Sequence, residues 1–209
     1  FVYSRDIKYG RSMLLESANT NYPRVETLLI ESTYGAKEDI QPSRQEVEAA
    51  FTASVNSVLK EGGKVLIPIP AVGRAQELMM VIDKYMKSGA LVEAPVFMEG
   101  MIQEATSIHE SFPEYLVREL KQKILETDDN PFDSEYFTNI SHPNDRDEPL
   151  REGSPCIIIA TSGMLEGGPV LDYFRNIAPY KQNKILFVSY QVNGTLGRRV
   201  MDGAKQVSI

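Results

Sequence analysis

Val65-Leu-Ile-Pro-Ile-Pro-Ala-Val-Gly-Arg-Ala-Gln-Glu77 is the stretch that decides the fold. Its first five residues, Val65–Ile69, are apolar at every position, as a strand covered on both faces requires. A turn containing Pro70 and Gly73 follows. From Arg74 the apolar positions switch to helical spacing, with Ala75, Leu78, Met79, Ile82, Tyr85 and Met86 on one stripe of a helix that runs to Lys87. A doubly covered strand feeding directly into a helix is the unit of a parallel sheet flanked by helices.

The same alternation extends outward. Val25–Ile30, Pro95–Met98, Cys156–Ala160 and Ile185–Ser189 read as further strands. A helix is predicted over Ser43–Lys60, with Val47, Ala50, Phe51, Ser54, Val55, Val58 and Leu59 inward. Ser43 and Glu46 have capping-box spacing, and Gly62-Gly63 ends that helix. Met101–Ser111 reads as another helix. A fourth starts at Pro113 and carries Leu116, Leu120 and Ile124, and short helices are expected near Pro169–Ile177 and Gly197–Asp202. The polar segment Asp128–Gly153 reads as loop with short pieces of structure. Phe1–Tyr9 and Arg11–Leu15 read as a separate strand pair. The expected fold is α/β: three layers, with a mainly parallel sheet flanked by helices in a Rossmann-like arrangement.

Composition narrows the function. In 209 residues there are 22 Lys and Arg against 29 Asp and Glu, a net charge of −7. Overall acidity disfavours sequence-independent wrapping of nucleic acid, but the charge is uneven. Glu99–Glu152 holds fourteen acidic and five basic residues, whereas Phe174–Ile209 holds six basic residues and one acidic. A basic rim of this kind suits a single strand in one cleft. The single cysteine, Cys156, excludes an intrachain disulfide and a Cys-based zinc finger. With only two histidines, His109 and His142, a self-contained multi-histidine metal site is not expected. No apolar run is long enough for a membrane helix and no signal peptide opens the chain, so a cytoplasmic protein without a membrane partner is expected. The chain starts on Phe1 and ends on Gln206-Val-Ser-Ile209, which resembles the middle of a strand; a piece of a longer protein is the expectation.

In parallel α/β sheets, ligands bind beyond the carboxyl ends of the strands. Four loops there mix glycine with polar groups: Glu31-Ser-Thr-Tyr-Gly35, Pro70–Glu77, Thr161-Ser-Gly-Met-Leu-Glu-Gly-Gly-Pro169 and Tyr190-Gln-Val-Asn-Gly-Thr-Leu-Gly-Arg-Arg199. Glycine lets backbone N–H groups approach a phosphate closely. The candidate substrate contacts are Arg74, Thr161, Ser162, Gly163, Gly194, Thr195 and Arg198. The candidate carboxylates are Asp6 and Glu31, each at a strand end or junction where a carboxylate can serve metal binding or proton transfer. The plainer alternatives are capping glycines, ordinary turns and surface carboxylates. Neither a phosphate-loop nor a dinucleotide fingerprint is present, so a Rossmann-type phosphate enzyme would explain the fold alone.

These loops carry a resemblance. Leu29-Ile-Glu-Ser-Thr-Tyr-Gly35 resembles the first signature of the β-CASP segment of metallo-β-lactamase-fold nucleic-acid nucleases. Ile67–Leu78, Ile159–Pro169 and Tyr190–Arg199 resemble three further stretches in the same order, and the likeness is strongest to archaeal homologues of the cleavage and polyadenylation specificity factor nuclease subunit. The resemblance implies residues 1–20 as an edge of the metallo-β-lactamase domain and 21–209 as the β-CASP domain. It implies an RNA-processing ribonuclease with two zinc ions in the full-length enzyme and none in this chain alone. Asp6 would bridge the zinc ions. The residue before it is usually Gly in the family and is Arg5 here. Glu31 would hydrogen-bond a histidine that protonates the leaving group. Single-stranded RNA, the missing metallo-β-lactamase domain and a second copy in a homodimer are the implied partners. The alternative is a non-catalytic scaffold paralogue in an RNA-processing complex.

Overall fold

The computed structural model describes residues 1–127 and 129–209. Asp128, the first residue of the predicted polar loop, lies outside the described residues. The main sheet has five strands: β3 (Lys64–Pro68), β4 (Val96–Glu99), β5 (Phe137–Asn139), β6 (Cys156–Ala160) and β7 (Lys184–Ile185). Their order is β5-β4-β6-β3-β7 and every pairing is parallel. Successive side chains point to opposite faces of a strand. Val65, Ile67, Val96, Met98, Ile157 and Ile159 therefore face one core, shared with α1 (Arg44–Lys60), α2 (Arg74–Lys87), α3 (Ile102–Ser111) and α4 (Arg118–Glu126). Leu66, Phe97, Ile158 and Ala160 face the other core, under Val170, Tyr173, Phe174 and Ile177 of α6 (Val170–Ile177). The result is the expected three-layer α/β fold.

The local signals explain most of these elements. Ser43 Oγ accepts the Glu46 N–H, and the Glu46 carboxylate accepts the Ser43 N–H at 2.8 Å, so the capping box starts α1 as predicted. One side of α1 departs from its apolar pattern. Val47 is half exposed, while Glu48 and Thr52 are buried beside Val55 and Leu59. The inward turn is possible because Glu48 has partners for its charge: Arg44 at 2.5 Å, Lys84 at 3.3 Å and the Tyr85 hydroxyl at 2.8 Å. Burial of a carboxylate is tolerated when it is paired in this way.

The amino-terminal region corrects the sequence reading. Only Leu28–Leu29 of the predicted Val25–Ile30 strand pairs. As β2 it pairs in parallel with β1 (Val2–Tyr3) in a separate two-stranded sheet, and Leu28, Leu29 and Ile30 are each about half exposed. No strand forms over Arg11–Leu15. That segment is a turn anchored by buried Leu14, whose N–H donates to Glu77 at 2.8 Å and whose carbonyl accepts from Val117 at 3.0 Å. Apolar character alone could not distinguish an anchored turn from a strand.

The polar segment after Asp128 carries the expected short pieces: β5, a 3-10 turn at Pro143–Arg146 and α5 (Asp147–Leu150). Two further boundaries move. Pro113–Tyr115 is a 3-10 turn and the fourth helix starts at Arg118. The Ile185–Ser189 strand shrinks to the edge pairing of β7.

Asp129 ties α4 to α2. Lys123 and Lys87 both pair with it, Lys87 at 2.6 Å, and they hold its carboxyl at about 2, below the usual 3.8. A carboxyl depressed by folding adds stability above its unfolded pKa and loses it as pH falls through the folded value. Asp129→Asn is expected to cost under about 1 kcal/mol near neutral pH, because the carboxylate is half exposed. Urea midpoints of the two proteins should converge as pH falls from about 4 towards 2. A constant gap would mean the ion pairs are not its source.

Candidate functional site

The strand order places the site. The chain leaves β3 through α2 towards β4, and leaves β6 through α6 towards β7, on the opposite side. Strands β3 and β6 are neighbours, and α2 and α6 cover opposite faces. Their carboxyl ends therefore diverge at a topological switch point, where ligands bind in open α/β sheets. The loops 70–74 and 161–169 stand there.

Contacts lock these loops to the one that follows β7. Gly163 approaches Pro70 so closely that a Cβ would lie 2.8 Å from Pro70 Cδ. Gln191, only 1% exposed, donates from Nε2 to the Gly163 carbonyl at 2.9 Å. The Gly197 N–H donates to Met164 O at 2.9 Å, and the Leu196 N–H donates to Glu166 Oε1 at 2.6 Å. Gly197 is needed for this approach, since a Cβ would meet Gln191 Oε1 at 1.9 Å and Met164 O at 2.9 Å. The 31–35 loop reaches the same rim through Tyr34, whose ring meets Tyr190 edge-to-face at 5.9 Å. All four glycine-bearing loops are thus linked by direct contacts.

The candidate donors differ in how they are held. Ser162 Oγ accepts the Glu166 N–H at 3.0 Å. Thr195 caps α7 (Leu196–Met201), accepting from Arg198 N and donating to Val192 O at 2.7 Å. Both hydroxyls shape their own turns. Arg198 pairs with Asp202 at 2.9 Å and stays one-third exposed; Asp202, then Tyr190, favour its charged form. Arg74 opens α2, is exposed, and makes no salt bridge among the described residues. Thr161 packs against Gly100, where a Cβ would meet its Oγ1 at 2.0 Å, and Gly194 turns the 190–199 loop.

Asp6 and Glu31 come to one corner. Ser4 N–H donates to Leu29 O at 2.9 Å and Ser4 Oγ accepts the Glu31 N–H at 3.3 Å. The Glu31 carboxylate accepts the Thr33 N–H at 2.8 Å. That N–H and the Thr33 hydroxyl, with a lesser pull from the Ile7 N–H, hold it below the usual carboxylate range. Arg5 has φ +50°, the left-handed conformation that glycine adopts most easily. The turn before Asp6 therefore has a backbone that glycine would adopt with less strain. Among the described residues no group of three or more His, Cys, Asp or Glu could hold a metal ion. His109 Nδ1 lies 2.6 Å from Ala105 O on its own helix, and the His142 N–H donates to Asp145.

A family model described as the Beta-Casp domain matches residues 75–200. The chain belongs to that family. The β-CASP match takes in the loops after β6 and β7; Asp6, Glu31 and Arg74 lie before it. The chain is 78% identical over all 209 residues to a protein of Cenarchaeum symbiosum named transcription termination factor FttA. It is 49% identical over 207 residues to the FttA of Methanocaldococcus jannaschii, and 50% identical over 206 residues to that of Lokiarchaeum. These archaeal relatives agree with the affinity read from the motifs. The β-CASP chain covers 97–100% of itself in such matches but spans about a third of the relatives' length, 32% of each of these three.

Sequence reading missed the polar cluster beneath the β-CASP rim. Glu99, at the end of β4, takes the Arg146 guanidinium at 2.5–3.0 Å and the Tyr173 hydroxyl at 2.6 Å. Arg146 also reaches Asp172 at 2.6 Å. Burial and the adjacent Glu99 push the Tyr173 phenol up, and Glu99 foremost raises Arg146. No local pattern announces a pair 47 residues apart. Gln191 and Tyr34 lay within quoted motifs, but their contacts are also long-range. Cys156 is core: burial pushes its thiol up to about 11.

Proposed function

We propose that this chain is the β-CASP part of a zinc-dependent RNA-processing ribonuclease, forms one wall of its RNA cleft, and acts where transcripts are ended, as the relatives' name describes. The observation that supports this best is the convergence of the four glycine-bearing loops at the switch point, with Arg74 and Arg198 at their edges. Guanidinium and N–H donors there suit the phosphates of a single strand. Asp6 would contribute one carboxylate to a zinc centre completed by residues of the whole protein, and Glu31 would orient a histidine there. On this reading residues 1–20 would be the edge of a metallo-β-lactamase domain and 21–209 the β-CASP domain. The half-exposed strip of Tyr3, Leu28, Leu29 and Ile30 beside Glu31 offers an apolar surface for that domain to cover.

The test uses the full-length protein and labelled single-stranded RNA. Cleavage should disappear with a chelator and return with zinc. RNA binding without any cleavage would remove the ribonuclease reading and favour the scaffold. In the same protein Arg74→Ala and Arg198→Ala should each weaken binding irrespective of sequence and flatten the salt slope by about 0.7. Unchanged slopes would make both arginines structural.

A further inference from the structure

We propose that Tyr34 and Tyr190 together form a stacking step for one nucleobase of a single-stranded RNA, a subsite beside the phosphate-binding loops. The inference rests on the reading of this rim as an RNA cleft and specifies how a base is held there. Tyr34 lies three residues after Glu31, and Tyr190 opens the loop that leads to Gly194 and Arg198. Their ring centroids are 5.9 Å apart and their planes are at 89°. In an edge-to-face pair each ring limits the other's motion, yet at most one face of one ring is covered. Tyr34 remains 53% exposed and Tyr190 44%. The arrangement leaves part of each ring open to a ligand.

Their surroundings match the needs of a nucleotide. The 31–35 loop is closed by Gly35 N–H donating to Ser32 O at 3.1 Å and by Thr33 N–H donating to Glu31, so Tyr34 projects from a braced turn. Tyr190 is followed by Gln191, which is buried and bonded to Gly163 and Ser189. Both rings therefore stand on anchored backbone, which lowers the ordering cost on binding. Arg198 stands in the same loop as Tyr190, in the first turn of α7. Every base has a π face, so stacking tolerates sequence but demands a base that is unpaired and splayed out. The subsite would thus select single-stranded over duplex RNA near the scissile bond.

The experiment measures binding of the full-length protein to a series of labelled single-stranded RNAs in which one abasic spacer is walked along the strand. One spacer position should weaken wild-type binding by roughly 5- to 150-fold, the range of one base–aromatic stack. Tyr190→Ala and Tyr34→Ala should weaken binding of the intact RNA similarly and be insensitive to the spacer at that position. Tyr190→Phe, which keeps the ring, should behave as wild type; Tyr34→Leu, which keeps bulk without a π face, should behave as the alanine variant. If RNA is bound and cleaved but no spacer position depends on either tyrosine, the stacking step is wrong and the cleft reading stands. If single-stranded RNA is not bound at all, both fall.

Discussion

Glu31→Gln in the full-length protein is expected to lower the rate of RNA cleavage by roughly 10²–10⁴-fold, the range of general acid catalysis, with RNA affinity and zinc content nearly unchanged. The substitution is nearly isosteric. The amide oxygen can still accept the Thr33 N–H, so the 31–35 loop keeps its brace. What is lost is a charged acceptor able to fix the tautomer and orientation of a histidine on its other lone pairs. Because Thr33 holds the carboxyl below the usual range, Glu31 stays charged from neutral pH down past the ordinary carboxylate value. The acid limb of the rate profile should then belong to another group and keep its midpoint in variants that spare Glu31. A wild-type rate in Glu31→Gln would reduce this residue to a cap for its own loop.

Arg146→Ala is expected to destabilise the chain by about 3–5 kcal/mol, because it leaves the Glu99 carboxylate buried without its countercharge. The Glu99 side chain is 10% exposed and that of Arg146 is 19%, so water can screen little of the loss. The Tyr173 hydroxyl would remain as one donor and would not neutralise the charge. Replacing the whole cluster by apolar groups, Arg146→Met with Glu99→Leu and Tyr173→Phe, should recover most of the stability, since neither a lone charge nor an unpaired hydroxyl is then left in the core. Urea unfolding of the three proteins checks this. A loss under about 1 kcal/mol in Arg146→Ala would show that the pair is screened like a surface ion pair. The position matters for the site as well: Glu99 ends β4, and Gly100 after it packs on Thr161. Loosening the cluster should therefore also loosen the 161–169 loop.

The central strands were legible because their signal is local. Val65–Ile69 and Cys156–Ala160 are apolar at every position, and a strand covered on both faces needs that pattern whatever its partners. The starts of α1 and α2 were legible for the same reason: the Ser43–Glu46 box and the spacing of Ala75, Leu78, Met79, Ile82 and Met86 are set within a few turns of chain. So were the glycine-bearing loops, whose residue types mark them before any contact is known. Strand partnership was not legible. Leu28–Leu29 has the same apolar character as the core strands but pairs with Val2–Tyr3 and lies half exposed, since apolarity does not name a neighbour. Tertiary structure alone also decided which polar residues are buried. Glu48 turns inward because Lys84 and Tyr85 come from another helix, and Arg146 finds Glu99 across 47 residues. The rim follows the same division. Its residues could be read one loop at a time, but Gln191 joining Gly163, and Tyr34 meeting Tyr190, are products of strand order and packing. Pairings between distant segments cost loop entropy and are returned only by contacts that exist once the whole sheet has formed.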